Sequence, residues 1–176
     1  MPTFKHDPFH SDIEFKIRHL MISTVKGSFS SFDVTLLSDE KDFSDAQIFC
    51  EVDVSTIYTG ISDRDAHLRS ADFFNVDEHP KMHFRSTEIE RTSDEDYLIH
   101  GLLRIRGVEK QICLNGTYNG SDIDNYGQIK HGFDLIGKIN RSDWDLDFNI
   151  AGGRNTLLIG DEVKMDISIQ VVQIDE

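Results

Sequence analysis

Hydrophobic and polar residues alternate along most of the chain, and a period of two residues is typical of strands with one buried face. The alternation is strictest over residues 9–19, where Phe9, Ser11 and every second residue as far as His19 are predicted to face inward. Further strands are predicted over residues 32–36, 46–54, 82–91, 97–105, 110–118, 129–139 and 163–171. The strand over 97–105 has apolar residues on both faces, so the pattern does not orient it. Polar or irregular loops are predicted over residues 40–44, 119–127 and 140–161.

About eight strands joined mostly by short turns make a long antiparallel meander, which can hide its apolar face in a sandwich or in a closed barrel. Eight is the number at which an up-and-down barrel either fills its interior or holds one small ligand. The predicted fold is therefore all-β, an antiparallel up-and-down barrel of about eight strands in a single domain over residues 1–176. Ser11, Ser86 and Gly137 fall on inward rows, and these small or polar residues indicate an incompletely filled interior.

The stretch from Thr56 to Pro80 breaks the alternation and predicts a short helical insert. Ser62 followed by Asp65 is similar to a capping box, which marks a helix start. Ile61 and Leu68 are seven residues apart, so they are expected to share one apolar side of this helix. A second short turn carrying two phenylalanines follows, and the insert is predicted to close one end of the barrel.

A formal net charge of −14, from 32 acidic and 18 basic residues, restricts what the protein can bind. Electrostatic binding of nucleic acid or of anionic lipid surfaces needs clustered Lys and Arg, so neither is predicted. The chain has no run of 18 apolar residues, which predicts no stable insertion into a membrane. The N-terminus has no apolar signal segment, so a cytoplasmic location is expected. Cys50 and Cys113 are expected to be reduced and buried thiols.

The motifs that usually carry chemistry or metals do not occur in this chain. His79 and His83 are four residues apart, but Pro80 between them prevents the helix that would place both on one face. The sequence contains no Cys-x-x-Cys, His-Glu-x-x-His or Gly-x-Ser-x-Gly pattern. Neither a metal site nor a catalytic site is therefore predicted.

Ordered motifs over almost the whole chain resemble the YceI-like family. They are His6-Asp7-x-x-His10-Ser11, Arg64-Asp65-x-His67-Leu68-Arg69-Ser70, His79-Pro80-x-Met82-x-Phe84, Gly101-x-Leu103-x-Ile105-Arg106-Gly107, Ile139-Asn140-Arg141-Ser142-Asp143-Trp144 and Gly160-Asp161-x-Val163. The chain departs from the family at His79, where Tyr is more frequent. The resemblance implies an extended lipocalin-like barrel that holds a long amphiphile in its lumen, with the helical insert over one end.

What the resemblance implies for function is binding, transport or storage of an isoprenoid quinone, a polyprenyl compound or a fatty amide, without catalysis. No other cofactor is implied, and the strongly negative charge of the chain favours a ligand with a neutral head group. Two alternatives stay open, namely an enzyme that uses His19 or His67 as a base in the lumen, and a filled barrel with a stress-related interaction role. Homodimer formation, which is frequent in the family, also stays open.

Twelve residues are predicted to contact the ligand. They are Phe15, His19, Phe29, Phe32, Arg64, Asp65, His67, Leu68, Phe73, Phe74, Phe84 and Phe133. For Arg64 and Asp65 the alternative is that they fasten the insert to the barrel. His10 and Ser11 are interpreted as a structural turn network, and residues 140–144 as a corner that closes the barrel.

Overall fold

The computed structural model describes residues 1–20, 22–148 and 159–174, and most of these residues are in strands. The strands are β1 (Thr3–His6), β2 (Asp12–His19), β3 (Ser23–Phe29), β4 (Phe32–Leu37), β5 (Gln47–Asp53), β6 (Ile57–Tyr58), β7 (Lys81–Arg91), β8 (Asp96–Ile105), β9 (Val108–Ile123), β10 (Ile129–Asn140) and β11 (Ile159–Ile174). One α-helix, α1 (Ser62–Arg69), lies between β6 and β7, and two short 3-10 turns cover Val54–Thr56 and Arg141–Trp144.

The sheet closes into an antiparallel barrel of eight strands, as predicted. The order around the barrel is β1, β4, β5, β7, β8, β9, β10 and β11, and β1 pairs with β11 to complete it. The strands β2 and β3 extend the wall beyond β1 and β4, because β2 pairs with the first half of β11 and β3 pairs with β2. In the wall, β1 and β2 therefore act as one long strand that is interrupted once, and β3 and β4 act as another.

A serine hydroxyl fills the interruption between β1 and β2. The backbone N–H of Gln170 donates to Ser11 Oγ at 3.1 Å, and the N–H of Asp7 donates to the carbonyl oxygen of Gln170 at 2.8 Å. These bonds maintain the ladder with β11 while the chain between Asp7 and Ser11 loops outward. Phe9 is consequently 92% exposed, so the prediction that it faces inward is wrong. The interpretation of Ser11 as part of a turn network is confirmed.

The hairpin of β9 and β10 is longer than predicted. The two strands run to Ile123 and from Ile129, so of the loop predicted over 119–127 only residues 124–127 remain outside the strands. The carboxylate of Asp124 accepts hydrogen bonds from the N–H groups of Tyr126 and Gln128, each at 2.9 Å, and so fixes this turn.

The structure also orients β8, which the pattern left open. Tyr97, Ile99 and Ile105 are buried, so the odd-numbered residues of this strand face inward.

The helical insert exists, but its predicted start is wrong. Ser62 is the first helical residue and makes no side-chain cap, because α1 follows directly on extended Ile61. The carboxylate of Asp65 instead accepts hydrogen bonds from Thr59, at 2.9 Å from its N–H and 2.5 Å from its hydroxyl. Ile61 is 53% exposed, so it does not share a buried side with Leu68. Asp65 fastens the helix to the segment that precedes it.

Aromatic rings close the end of the barrel opposite α1. Phe43 lies in the middle, with its ring centroid 5.1–5.7 Å from those of its four neighbours. We call this group the aromatic plug; it comprises Phe4, Phe43, Tyr118, His131 and Phe133. The segment 40–44 was predicted to be a polar loop, yet Phe43 is only 4% exposed and has a positive φ of 58°.

Both cysteines are free thiols, as expected, but they differ in burial. Cys113 is exposed, so the prediction that it is buried is wrong, because it lies on the outward row of β9. Cys50 faces inward from β5, and burial raises its pKa to about 12. In the part of the chain that the structure describes, no helix is long and apolar enough to cross a membrane.

Candidate ligand-binding site

A cavity of about 650 Å³ runs through the barrel from α1 to the aromatic plug. Its walls are the inward rows of the strands, and nearly all of the lining side chains are apolar. The row on β11 is typical, with Val163, Met165, Ile167, Ile169 and Val171 all lining the cavity as the alternation predicted. The volume lies within the range of small-molecule sites in proteins.

Glycines in the wall allow two phenylalanine rings to lie flat. A Cβ on Gly27 would come within 2.2 Å of Phe15 Cζ, and one on Gly101 would come within 2.4 Å of the Phe84 ring. Each ring therefore occupies the space that a side chain on the adjacent strand would need. This arrangement keeps both rings close to the wall while their faces contribute apolar surface to the cavity.

Ten of the twelve residues predicted to contact a ligand line the cavity. These ten are Phe15, His19, Phe29, Arg64, His67, Leu68, Phe73, Phe74, Phe84 and Phe133. The two others lie elsewhere, since Phe32 packs on the ring of His6 at a centroid distance of 5.1 Å and Asp65 is buried against Thr59. That the ten contact a bound molecule stays a prediction.

Most of the charged residues of the lining gather at the α1 end, which we call the mouth; Glu14 on β2 and His83 on β7 are the charged lining residues outside it among the described residues. Arg18, His19, Asp63 and His67 are exposed there and also line the cavity. Both signs of charge are represented, so the mouth presents hydrogen-bond donors and acceptors rather than a field of one sign. This arrangement suits a ligand with an apolar body and a polar but neutral end.

His67, and Arg64 which also lines the cavity at the mouth, are already held by the protein. Arg64 donates from Nε to the hydroxyl of Thr59 at 2.7 Å and from Nη2 to the carbonyl oxygen of Thr59 at 2.6 Å. His67 Nε2 lies 2.8 Å from the carboxylate of Asp72. Arg64 thus fastens the insert and lines the cavity at the same time.

A buried arginine holds the corner after β10. The Arg141 guanidinium donates to the carbonyl oxygens of Gly160 at 2.9 Å, Leu146 at 2.7 Å, and Phe148 at 2.9 Å. Burial lowers the pKa of this guanidinium. The indole N–H of Trp144 donates to the carbonyl oxygen of Leu103 at 3.0 Å, which ties the corner to β8. A corner is thus present where it was predicted, at residues 140–144, whereas the barrel wall is closed by the pairing of β1 with β11.

Several lining residues were missed from the sequence. Phe43 lies in a polar loop without alternation, and Arg18 falls on the outward row of β2, yet both reach the cavity from the ends of the barrel. Arg141 and Asp63 lie in turns or helices, where a period of two does not apply. Among the described residues, no three His, Cys, Asp or Glu side chains come together as a group that could hold a metal ion.

Comparisons with known proteins agree with this geometry. Residues 4–171 match the model of the YceI-like domain. A UPF0312 protein of Staphylococcus epidermidis is 38% identical over 171 residues, which span 97% of each chain.

Among solved structures, a YCEI protein of Campylobacter jejuni superposes with a TM-score of 0.77 at 30% identity, over 91% of each chain. A polyisoprenoid binding domain from Saccharophagus degradans, implicated in plant cell wall breakdown, superposes with a TM-score of 0.73 at 15% identity. That match covers 99% of this chain and 100% of the other, and it shows a shared fold.

Proposed function

Because the chain belongs to the YceI-like family, we propose that the protein binds one long-chain amphiphile in its lumen and carries or stores it without chemical change. The observation that supports this proposal is the cavity of about 650 Å³, which is apolar along its length and polar at its mouth. An apolar chain would lie between the strands, and its head group would remain among the side chains at the mouth.

The energetics favour exchange with a membrane over capture from water. Each buried CH₂ contributes about 0.8 kcal/mol when it leaves water, so a long chain is already in an apolar phase before it reaches the protein. Transfer from a bilayer to the lumen then gains little from hydrophobicity, and the fit to the wall and the contacts of the head group decide the affinity. A protein that must also release its cargo benefits from this near balance.

The head group is proposed to be neutral, as in an isoprenoid quinone or a fatty amide. Arg64 already donates to Thr59, and Asp63 adds a negative charge to the mouth. In the described part of the mouth, a pyrophosphate would meet the carboxylate of Asp63 as well as the guanidinium of Arg18, not a cluster of cations alone. The relative of similar fold that is described as a polyisoprenoid binding domain supports an isoprenoid tail.

The first experiment is native mass spectrometry of the purified protein, followed by organic extraction and identification of the extracted lipid. An adduct of one lipid per chain is the expected result. A protein without an adduct is then titrated with a long-chain isoprenoid quinone. Binding followed by recovery of unchanged quinone supports transport or storage, whereas a modified product indicates an enzyme and absence of binding indicates a filled barrel.

A matched pair of variants locates the binding site. Gly116 faces the lumen, and a Cβ there would meet only the flexible ends of Ile99 at 3.1 Å and Leu135 at 3.6 Å. Gly116→Leu is expected to fill the lumen and to weaken binding by at least about tenfold. Gly132 lies on the outward row of β10, where a Cβ would meet only Asn119 at 3.6 Å, so Gly132→Leu is the control that leaves binding unchanged. Equal affinities of the two variants would place the ligand outside the lumen.

A further inference from the structure

Four lysines form a straight row across the outer wall of the barrel. Lys138 on β10 pairs with Lys164 on β11, Lys164 pairs with Lys16 on β2, and Lys16 pairs with Lys26 on β3. Each lies between two residues of the inward row, so all four point outward. Adjacent strands are about 4.8 Å apart, which makes this lysine row about 14 Å long.

The lysine row has no internal explanation. Like charges directly opposite each other destabilise a sheet, and here three such pairs follow one another. In the described part of the chain, none of the four ammonium groups lies within 4.0 Å of a carboxylate. Glu14 and Asp166 border the row on one side, away from the mouth, and Glu162, two residues before Lys164, borders it on the other.

The charge around the row contrasts with the rest of the protein. The whole chain has a net charge of −14, yet residues 15–32 contain three basic residues and no acidic residue. This stretch begins at Phe15 in β2 and includes all of β3, and it carries Lys16 and Lys26, half of the lysine row; the acidic residues of the β2–β3 hairpin, Asp12 and Glu14, lie at its far end from the tip. Arg18, exposed beside the cavity mouth, is the third basic residue of the hairpin.

The same hairpin ends in exposed apolar side chains. Ile22 is 80% exposed and Leu20 is 39% exposed, and we call these two residues the hairpin tip. Leu20 has a positive φ of 53°, a conformation that bulky side chains rarely adopt. The tip lies about four residues, or about 13 Å, beyond the lysine row and directly after the mouth residue His19. An apolar tip beside a basic wall is the arrangement by which peripheral proteins bind anionic membranes.

We propose that the lysine row and the hairpin tip dock the protein on an anionic phospholipid bilayer. The lysines contact the phosphates of the head groups, and Leu20 and Ile22 enter the interface between head groups and acyl chains. The acidic remainder of the surface is repelled by the same bilayer, so only this wall is presented to it. The proposal rests on the proposed function, since docking here brings the cavity mouth to the phase in which an apolar cargo is dissolved.

Vesicle sedimentation tests the docking with the full chain. Vesicles of phosphatidylcholine with about 40% phosphatidylglycerol, whose anionic head groups give a negative surface potential, are compared with vesicles of phosphatidylcholine alone. The protein is expected to partition into the anionic vesicles at least about tenfold more strongly, and 0.5 M salt is expected to abolish the difference by screening. Equal partitioning into both vesicle types would overturn the proposal.

Two sets of charge variants distinguish the effect of the lysine row on vesicle binding from the effect of net charge. Lys16→Gln, Lys26→Gln, Lys138→Gln and Lys164→Gln together remove four positive charges and are expected to lower partitioning at least about tenfold, since each cation near the surface contributes about fivefold. The control makes the same change in net charge on the opposite wall and in a loop, through Lys41→Gln, Arg85→Gln, Arg104→Gln and Lys110→Gln. The proposal fails if both quadruple variants lose binding equally or if neither loses it.

The tip and the oligomeric state complete the test. Ile22→Ser is expected to lower partitioning several-fold, whereas Tyr126→Ser, which alters a side chain at least as exposed on another hairpin, is expected to leave it unchanged. Analytical ultracentrifugation of the wild type and of the row variant tests whether the partner is instead a second copy of this chain. A dimer that dissociates on loss of the lysines would overturn the membrane assignment. Quinone titration of both the wild type and the row variant keeps the two proposals distinct. Retained quinone binding without vesicle binding in the wild type refutes docking alone, and vesicle binding without any quinone binding refutes the proposed cargo.

Discussion

The ring of Phe15 lies over Gly27 on the neighbouring strand, where a Cβ would come within 2.2 Å of Phe15 Cζ. The two residues are directly paired between β2 and β3. The absence of a side chain at one position thus determines where the side chain at the other can lie. As a result, a large aromatic ring lines the cavity near its mouth without extending across it.

Gly27→Ala is expected to push the Phe15 ring into the lumen. The added methyl group overlaps the ring in its present position, and overpacking of this kind costs about 1–3 kcal/mol. We expect a lower free energy of unfolding in urea and weaker binding of a long-chain quinone. Phe15→Leu in the Gly27→Ala background removes the ring that was displaced, so binding should recover there. Failure of this second change to restore binding would show that the ring is not the cause.

Phe43 is expected to tolerate glycine better than alanine. Removal of its ring from the aromatic plug should destabilise the barrel by about 3–5 kcal/mol in either variant. Because φ at this position is 58°, glycine avoids a backbone cost of about 1 kcal/mol that alanine retains. Urea unfolding should therefore find Phe43→Gly more stable than Phe43→Ala, the reverse of the usual order in a strand. The usual order would mean that the positive φ does not persist in solution.

The loop that carries Phe43 is expected to weaken in acid. The hydroxyl of Ser38 donates to Asp45 at 2.5 Å and the N–H of Asp39 donates to it at 2.9 Å, and these bonds lower the pKa of Asp45. A lowered folded-state pKa gives stability that is present above the ordinary pKa of about 3.9 and is lost as the pH falls through the folded value.

Asp45→Asn measures this contribution. The variant should be less stable than the wild type at pH 7, because its amide N–H₂ would face either the hydroxyl of Ser38 or the N–H of Asp39. The difference between the two proteins should shrink progressively below about pH 4. A difference in the free energy of unfolding that is constant from pH 7 to pH 2 would contradict the titration of Asp45.

The two thiols are expected to react very differently with iodoacetamide. The thiolate is the reactive form, and the pKa of Cys50 is raised to about 12 by burial, with Asp33 and Glu51 adding to the effect. Cys113 is exposed on the outer wall. At pH 8 the folded protein should be alkylated once, and Cys113→Ser should remove that single label. Mass spectrometry after unfolding should then show both thiols of the wild type reacting, which controls for reagent quality.

The regular strands were predictable because a strand with one face against a core has an inward-facing, mostly apolar residue at every second position. The rows on β5, β10 and β11 were predicted correctly for this reason. The pattern failed where a side chain replaced part of the backbone ladder. Ser11 bonds to Gln170, and Ser86 Oγ accepts the N–H of Ile48 at 2.9 Å, and near both residues the strand pairing shifts its register or breaks.

The lumen is open, but not because of Ser11, Ser86 and Gly137, the residues from which the sequence predicted an incompletely filled interior. Ser11 and Ser86 are engaged with the backbone, and the space beside Gly137 is occupied by Leu114 Cδ2, 2.6 Å from where a Cβ would lie. A small residue in a sequence indicates either free space or a close neighbour, and only the fold distinguishes the two. The openness of the lumen depends instead on the barrel circumference and on rings that lie flat over Gly27 and Gly101.

The basic wall could not be predicted for a different physical reason. Lys16 and Lys164 are far apart in the sequence, and their alignment depends on the register between β2 and β11. Net charge is a property of composition, whereas a surface potential depends on which residues the register brings together. A chain with a charge of −14 can therefore still present a row of four cations.

A barrel that is closed at one end also limits the length of the ligand that it can enclose. The cavity follows β11 from Ile159 at the mouth to Val171 beside the aromatic plug, which is 12 residue steps from 159 to 171. At about 3.3 Å per residue and a strand tilt of about 40°, the depth is about 30 Å. Members of a homologous series shorter than this limit would be fully sheltered, and longer ones would project into water. The aromatic plug would thus fix one end of the cavity, and the protein would discriminate among lipids by chain length.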